Sequence, residues 1–368
     1  MTLPGDSQHE PAQPGRSAEI VVMALGGTIA MAGEHGVTPR LDGEDLISSV
    51  PGLGAAVPVR ARSFRNMPGA HLGIDDVLEL AAEIRRAFRD GARGVVVSQG
   101  TDTLEETAFA LDVLLAEQRP VVVTGAMRHP AEAGADGPAN LADAVAVASM
   151  SEVSGHLGVV VVLGGEIHSA QFVRKTHTVS PAAFVSTTGP LGWIAEGCPV
   201  VLMRPARRFP LPEPRGYRNA SVALLTVAMG EDNRLIAAVK DLGFEGVVIE
   251  ALGAGHVPAD FVGPLEELAA LMPVVLCSRT GRGPVLERTY GFPGSEQDLL
   301  ARGLITGGHL DGPKARIALT LLLRRGADRA MVNDFFAGFR GSRAFQQSAP
   351  LAGADGQKFR PESRLEPG

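Results

Sequence analysis

Four residues have the types and settings that amide chemistry would need. Thr28 follows Gly26 and Gly27 at the end of an apolar run over 20–25. Thr101 and Asp102 stand together after Gln99-Gly100, again behind an apolar run, 94–98. Lys175 follows Arg174 in the stretch Gln171-Phe172-Val173-Arg174-Lys175-Thr176-His177-Thr178. The chain has 34 basic residues, yet only four are lysine (Lys175, Lys240, Lys314, Lys358), and none precedes position 175. Arginine stays protonated, whereas a lysine can shed its proton and act as a base, so lysine at 175 reads as a functional choice. A threonine hydroxyl is a weak nucleophile that needs an adjacent base, and the base needs an orienting group. Lys175 in its amine form is a candidate base, with Asp102 holding the ammonium form in place. Glycine-rich turns beside Thr28 and Thr101 would expose backbone N–H groups to an oxyanion. The set suits acyl transfer on an amide.

Each residue also has a plainer reading. Gly26-Gly27-Thr28 is equally a strand-to-loop turn. Thr101 or Asp102 can cap a helix, with Glu105 and Glu106 in the first turn where the helix dipole favours them. Arg128 reads as a brace between loops, and Lys175 by itself is a solvated surface lysine.

Apolar runs of strand length at 20–25, 94–98, 120–124 and 157–163 are continuous rather than alternating, as in strands buried on both faces. Helical spacing recurs between them at 75–88, 104–115 and 138–148. Alternation of this kind predicts an α/β fold built on a parallel sheet. A Pro- and Arg-rich stretch then interrupts the pattern, which resumes on a smaller scale with strands at 222–227, 246–252 and 274–277. Helices follow at 234–242, 264–272, 311–325 and 328–339. The expected organisation is a disordered tail over 1–17, a larger flavodoxin- or Rossmann-like α/β domain over 18–203 and a linker over 204–217. A smaller C-terminal α/β domain over 218–342 and a second disordered tail over 343–368 complete it. In open α/β sheets ligands gather at the C-terminal edge of the strands, where Thr28 and Thr101 are expected.

At 368 residues with 45% hydrophobic content, the chain has ample core for two domains. A net charge of −7 leaves no basic footprint for nucleic acid. No run approaches a membrane span, and the polar, Pro-rich start does not read as a signal peptide. Two distant cysteines, Cys198 and Cys277, support neither a zinc site nor a disulfide framework. The expected location is the cytoplasm.

The ordered motifs resemble the bacterial L-asparaginase family, two-domain enzymes with threonine nucleophiles. They are Gly26-Gly27-Thr28-Ile29-Ala30, Gly100-Thr101-Asp102-Thr103-Leu104-Glu105-Glu106-Thr107 and Thr124-Gly125-Ala126-Met127-Arg128. Asp136-Gly137-Pro138 with Asn140-Leu141, Lys175-Thr176 and Lys314-Ala315-Arg316 complete the set. The resemblance runs from about residue 19 to 340. It implies hydrolysis of L-asparagine to L-aspartate and ammonia, with neither metal nor cofactor. Carried over by position, Thr28 would attack the amide carbon, while Thr101, Lys175 and Asp102 would relay protons. Gly69, Ala70, His71, Gly100, Thr101 and Asp102 would bind substrate, and Glu287 would come from a neighbouring subunit. The family pattern also implies a homodimer or homotetramer.

The chain departs from that pattern at several points. The loop after the nucleophile normally carries a tyrosine, but Tyr217 and Tyr290 are this chain's two and neither lies there; His35 or water is the candidate substitute. The carboxylate-binding turn, Pro68-Gly69-Ala70-His71-Leu72, lacks the family's serine. Ala254 stands where asparagine is common, while Leu25 and Gln99 replace threonine and histidine beside the motifs. These departures bear on substrate choice and keep other readings in view: a hydrolase of glutamine or another ω-amide, a tRNA-dependent amidotransferase subunit, or a catalytically silent metabolite binder. The amidotransferase would call for an extra N-terminal domain and a basic surface.

Overall fold

The computed structural model describes residues 19–27, 31–32, 38–39, 43–55, 57–150, 157–205, 209–211 and 216–341. Thr28, His35 and other parts of the 31–46 loop, both expected tails and part of the 204–217 segment lie outside the described residues.

The chain enters through β1 (Ile20–Ala24). A small antiparallel pair, β2 (Met31–Ala32) with β3 (Thr38–Pro39), and a short helix, α1 (Gly43–Ser48), follow. The chain then returns as β4 (Val59–Ser63) on one side of β1. Helix α2 (Ile74–Arg89) carries it across to β5 (Gly94–Ser98), which pairs with the other side of β1. Helix α3 (Leu104–Leu114), β6 (Val121–Thr124), α4 (Gly137–Ala148) and β7 (Val159–Leu163) extend the sheet in the same direction. All these large-sheet pairings are parallel, so the direction of growth reverses between β1 and β5. That reversal is a topological switch point, where a crevice opens beyond the strand ends.

Burial explains the continuous apolar runs. In β1 and β5, Val21, Met23, Val95 and Val97 face one core shared with α2 and α3. Ile20, Val22, Ala24 and Val96 face a second core shared with α4. Every residue of both strands is buried. A fully buried Val or Ile side chain contributes about 1.5–3 kcal/mol, so neither face tolerates a polar residue cheaply.

The larger sheet is parallel as expected except at one edge. After β7, Gly164 and Gly165 take positive φ values of 59° and 75°, a two-residue hairpin turn. The chain folds back as β8 (Glu166–Ser169), antiparallel to β7. Beyond it, β9 (Val173–Lys175) and β10 (Phe184–Ser186) form a separate antiparallel pair. Strands β11 (Gly192–Ala195) and β12 (Cys198–Val201) then complete the edge of the eight-stranded sheet. These strands are short, and their polar residues break the apolar run that marks β1 or β7.

The smaller sheet is parallel, in the order β13 (Val222–Thr226), β14 (Gly246–Ala251), β15 (Val274–Ser278), β16 (Ile305–Thr306). Helices α5 (Arg234–Ala238), α6 (Val262–Leu271) and α7 (Glu296–Ala301) connect its strands. The expected helix over 234–242 is two pieces, because a 3₁₀ turn over Val239–Leu242 follows α5. Helix α8 (Gly312–Arg324) packs between this sheet and α3 of the larger one. Helix α9 (Arg329–Ala337) closes the aromatic cluster around Phe339. In the 204–217 segment, the Phe209 ring lies 4.6 Å from that of Phe339 at a tilt of 48°, and Leu211 N–H donates to Val113 O at 2.7 Å.

One buried histidine gives the fold a pH dependence. His168 on β8 is 1% exposed and its Nδ1 lies 3.0 Å from Ser186 Oγ. Glu166 Oε2 stands 3.3 Å from Nε2 but is not aligned for a hydrogen bond. Burial dominates and pushes the imidazole pKa from 6.5 down to about 4. Between those values the unfolded chain binds the proton and the folded chain does not, so stability falls as pH falls through that window. The loss expected is roughly 3 kcal/mol. Urea unfolding followed from pH 7 to 4 should show it, and His168→Gln should flatten the curve. An unchanged slope in the variant would show that other groups set the acid sensitivity.

Candidate active site

The site begins with backbone crowding at the switch point. Leu25 N–H donates to Ser98 O at 2.8 Å, tying the end of β1 to the end of β5. Immediately afterwards Gly27, at φ +84°, lies against Gly100. A Cβ on Gly27 would sit 2.1 Å from Gly100 N and 2.2 Å from Gly100 Cα. A Cβ on Gly100 would meet Gly69 N at 3.0 Å and Gly27 Cα at 3.2 Å. Three chain segments meet here at backbone distance, which glycine alone permits.

The reactive groups follow directly. Thr101 is 6% exposed, and its Oγ1 accepts a hydrogen bond from Lys175 Nζ at 2.9 Å. The same Nζ donates to Asp102 Oδ1 at 3.3 Å. Lys175 arrives on β9, whose partner β10 places Phe184 opposite it. Asp102 is 62% exposed at its side chain and projects into an open cleft of about 480 Å³. The cleft is lined by Asp102, Lys175, Thr176, His177 and Thr178. The arrangement holds an amine against a hydroxyl with a carboxylate beside it, the parts of a proton relay.

The capping expectation is corrected. Helix α3 starts at Leu104 with Thr103 as its N-cap, and no side chain makes the cap bond. Thr103 Oγ1 donates instead to Gly69 O at 2.8 Å, fastening the Gly69–His71 turn to α3. In that turn Gly69 is buried, while Ala70 and His71 are exposed. Glu287 lies in the C-terminal part, 3.5 Å from Arg340 Nε, and is not among the residues lining the cleft of this chain. Arg128 braces a loop as expected: its Nη1 donates to Gly134 O at 3.1 Å and its N–H to Asp136 Oδ1 at 2.9 Å. Asn140 Nδ2 donates to Gly125 O at 3.0 Å, and its Oδ1 accepts from Gly164 N.

Two residues without a predicted role touch the strand that carries Lys175. Glu105 Oε2 accepts from Lys175 N–H, and burial raises the Glu105 pKa against the opposing pull of that bond and of Lys314. Lys314 Nζ donates to Val173 O. The sequence signals for Lys314 were its rarity, as one of four lysines, and its place in the Lys314-Ala315-Arg316 motif. Glu105 carried no such signal.

Comparisons with known proteins identify the family. A family model described as "Asparaginase, N-terminal" matches residues 19–207, and one described as "Glutaminase/Asparaginase C-terminal domain" matches 221–336. A probable L-asparaginase of Deinococcus radiodurans is 37% identical over 335 residues, covering 88% of this chain and 98% of the relative. An L-asparaginase of Bacillus licheniformis is 33% identical over 315 residues, covering 83% and 95%. The crystal structure of a probable cytoplasmic L-asparaginase from Campylobacter jejuni superimposes with a TM-score of 0.78 at 30% identity, covering 87% of this chain and 99% of that one.

The glycine crossing yields a stability test. Gly27→Ala should destabilise the fold by roughly 2–5 kcal/mol, since it adds overpacking to left-handed strain. Gly91→Ala isolates the strain alone, because φ is +100° there and a Cβ meets nothing within 4 Å. Equal losses in the two variants by urea denaturation would mean that the crossing relaxes freely.

Proposed function

Because the chain belongs to the asparaginase family of amidohydrolases, we propose that it hydrolyses L-asparagine to L-aspartate and ammonia through Thr28. The observation that best supports this reading is the 2.9 Å contact of Lys175 Nζ with Thr101 Oγ1, with Asp102 Oδ1 at 3.3 Å. Thr28 is bonded to Gly27, and Gly27 lies against Gly100 beside that group.

In this mechanism Thr28 Oγ attacks the side-chain amide carbon as its proton passes to a neighbouring base. The carbonyl π-bond opens to an oxyanion held by backbone N–H groups of the glycine-rich turns. The C–N bond then breaks, and the leaving nitrogen takes a proton and departs as ammonia. Water hydrolyses the resulting threonyl ester, with Lys175 in its amine form drawing a proton through Thr101 and Asp102 steadying the ammonium so formed. Asp102 Oδ2 receives the substrate α-ammonium group. With no serine in the turn, the α-carboxylate falls to Gly69, Ala70 and His71 through backbone N–H groups and the His71 ring. A second copy of the chain brings Glu287 to the substrate amine, so the active form is a homodimer or homotetramer. Free Cys198 and Cys277 suit a reducing cytoplasm. Among the described residues no helix is long and apolar enough to cross a membrane.

A glutaminase reading is kept because the C-terminal family model covers glutaminases as well. Ammonia release from asparagine, glutamine and a dipeptide amide separates the two. Release from none of them, with ligand still raising the melting temperature, would leave only a metabolite binder. Thr28→Ala and Lys175→Met should each abolish turnover while leaving the melting curve intact, and the Lys175 loss should reach roughly 10²–10⁴-fold. A Lys175→Met enzyme of near-normal rate would place the base elsewhere. Light scattering should report a dimer or tetramer, and a fully active monomer would contradict the shared site.

A further inference from the structure

The candidate base sits on a weak element. Strand β9 is three residues long and its sheet has two strands, a pairing that is marginal without outside support. Thr176 N–H, the next donor along, points to β10 and bonds Ala183 O at 2.7 Å. Backbone groups alternate sides along a strand, so Lys175 N–H and Val173 C=O both face the opposite edge. Among the described residues no strand pairs with β9 there. Glu105, on the first turn of α3, accepts from Lys175 N–H, and Lys314, on α8, donates to Val173 O. Two side chains of opposite charge thus make the bonds that a third strand would make.

The supports are themselves anchored. Lys314 is 2% exposed, and its Nζ lies 3.6 Å from Asp311 Oδ2. Asp311 caps α8 by accepting from Lys314 N–H at 3.0 Å, and its Oδ2 stands 3.8 Å from Arg174 Nε. Glu105 follows Thr101 and Asp102 by one turn, so its carboxylate relates the Lys175 backbone to the segment that Lys175 must reach.

We propose that Glu105 and Lys314 are positioning residues that clamp the free edge of β9 and so set Lys175 Nζ against Thr101. The proposal rests on the reading of Lys175 as the base. The clamp acts on rate: a displacement of about 1 Å at a relay group costs roughly 100-fold in turnover. It acts little on substrate affinity, because neither residue lines the cleft.

Full-length Glu105→Ala, Glu105→Gln, Lys314→Met and Lys175→Met variants test it by ammonia release, with kcat and KM determined separately and the folded fraction checked by circular dichroism. Glu105→Ala should lose roughly 100-fold in kcat with KM little changed. Glu105→Gln should recover most of that loss, since its amide oxygen can still accept from Lys175 N–H. Lys314→Met should lower kcat in the same manner. A folded Glu105→Ala enzyme of wild-type kcat overturns the clamp, as does a Glu105→Gln enzyme no faster than Glu105→Ala. If Glu105→Ala does not fold, a folded Lys314→Met enzyme of wild-type kcat overturns it alone. Normal turnover by Lys175→Met sinks the base assignment itself, whereas an inactive Lys175→Met beside a normal Glu105→Ala sinks only the clamp.

Discussion

The close crossing of Gly27 over Gly100 is the constraint on which the site depends. Parallel strands normally keep neighbouring chain ends about 4.8 Å apart, and side chains hold the departing loops further away. Here Gly27, Gly69 and Gly100 remove every Cβ from the meeting point, and three segments converge at van der Waals distance. The switch in strand order brings β1 and β5 side by side with their C-terminal ends aligned. The glycines convert that proximity into contact, and Thr101 therefore emerges buried at the crossing rather than on an exposed loop.

Much of this architecture was legible because burial writes a simple pattern. Strands β1, β5, β6 and β7 lie between two layers of helix, so every residue is buried and the runs are unmistakable, broken by a polar side chain only at their ends, Ser98 and Thr124. Helix α2 covers one face only and shows the spacing of a single buried stripe. The edges were harder. Strand β4, Val-Arg-Ala-Arg-Ser, is half-exposed, and its arginines pair with Glu19, Glu83 and Asp90, so it lacks an apolar run. Strands β8 to β12 turn through Gly164-Gly165 and through Glu196-Gly197, both at positive φ. The strands between those turns are too short to establish a period.

The site divides along the same line. Thr101, Asp102 and Lys175 could be singled out because chemistry restricts residue type, and the scarcity of lysine sharpened the choice. Geometry brings them together across 74 residues of chain. Glu105 could not be found that way. A glutamate in the first turn of a helix is already explained by the dipole, and its second partner, the Lys175 N–H, lies 70 residues away. Local sufficiency hid a distant contact.

Lys314 shows why stability alone does not account for the residues between the sheets. A buried ammonium loses its hydration, and the attraction of a nearby carboxylate rarely returns more than that loss. Replacing such a pair with well-packed apolar side chains is often neutral or favourable for the fold. Helix α8 also buries Ile317, Leu319, Leu321 and Leu322, so an ammonium is the exception among its buried side chains. What an apolar side chain lacks is a donor for Val173 O, a carbonyl on the free edge of the strand carrying Lys175. The charge is held where a directed hydrogen bond reaches that strand from the C-terminal part of the chain, which joins helix α8 of the smaller unit to the β9–β10 pair.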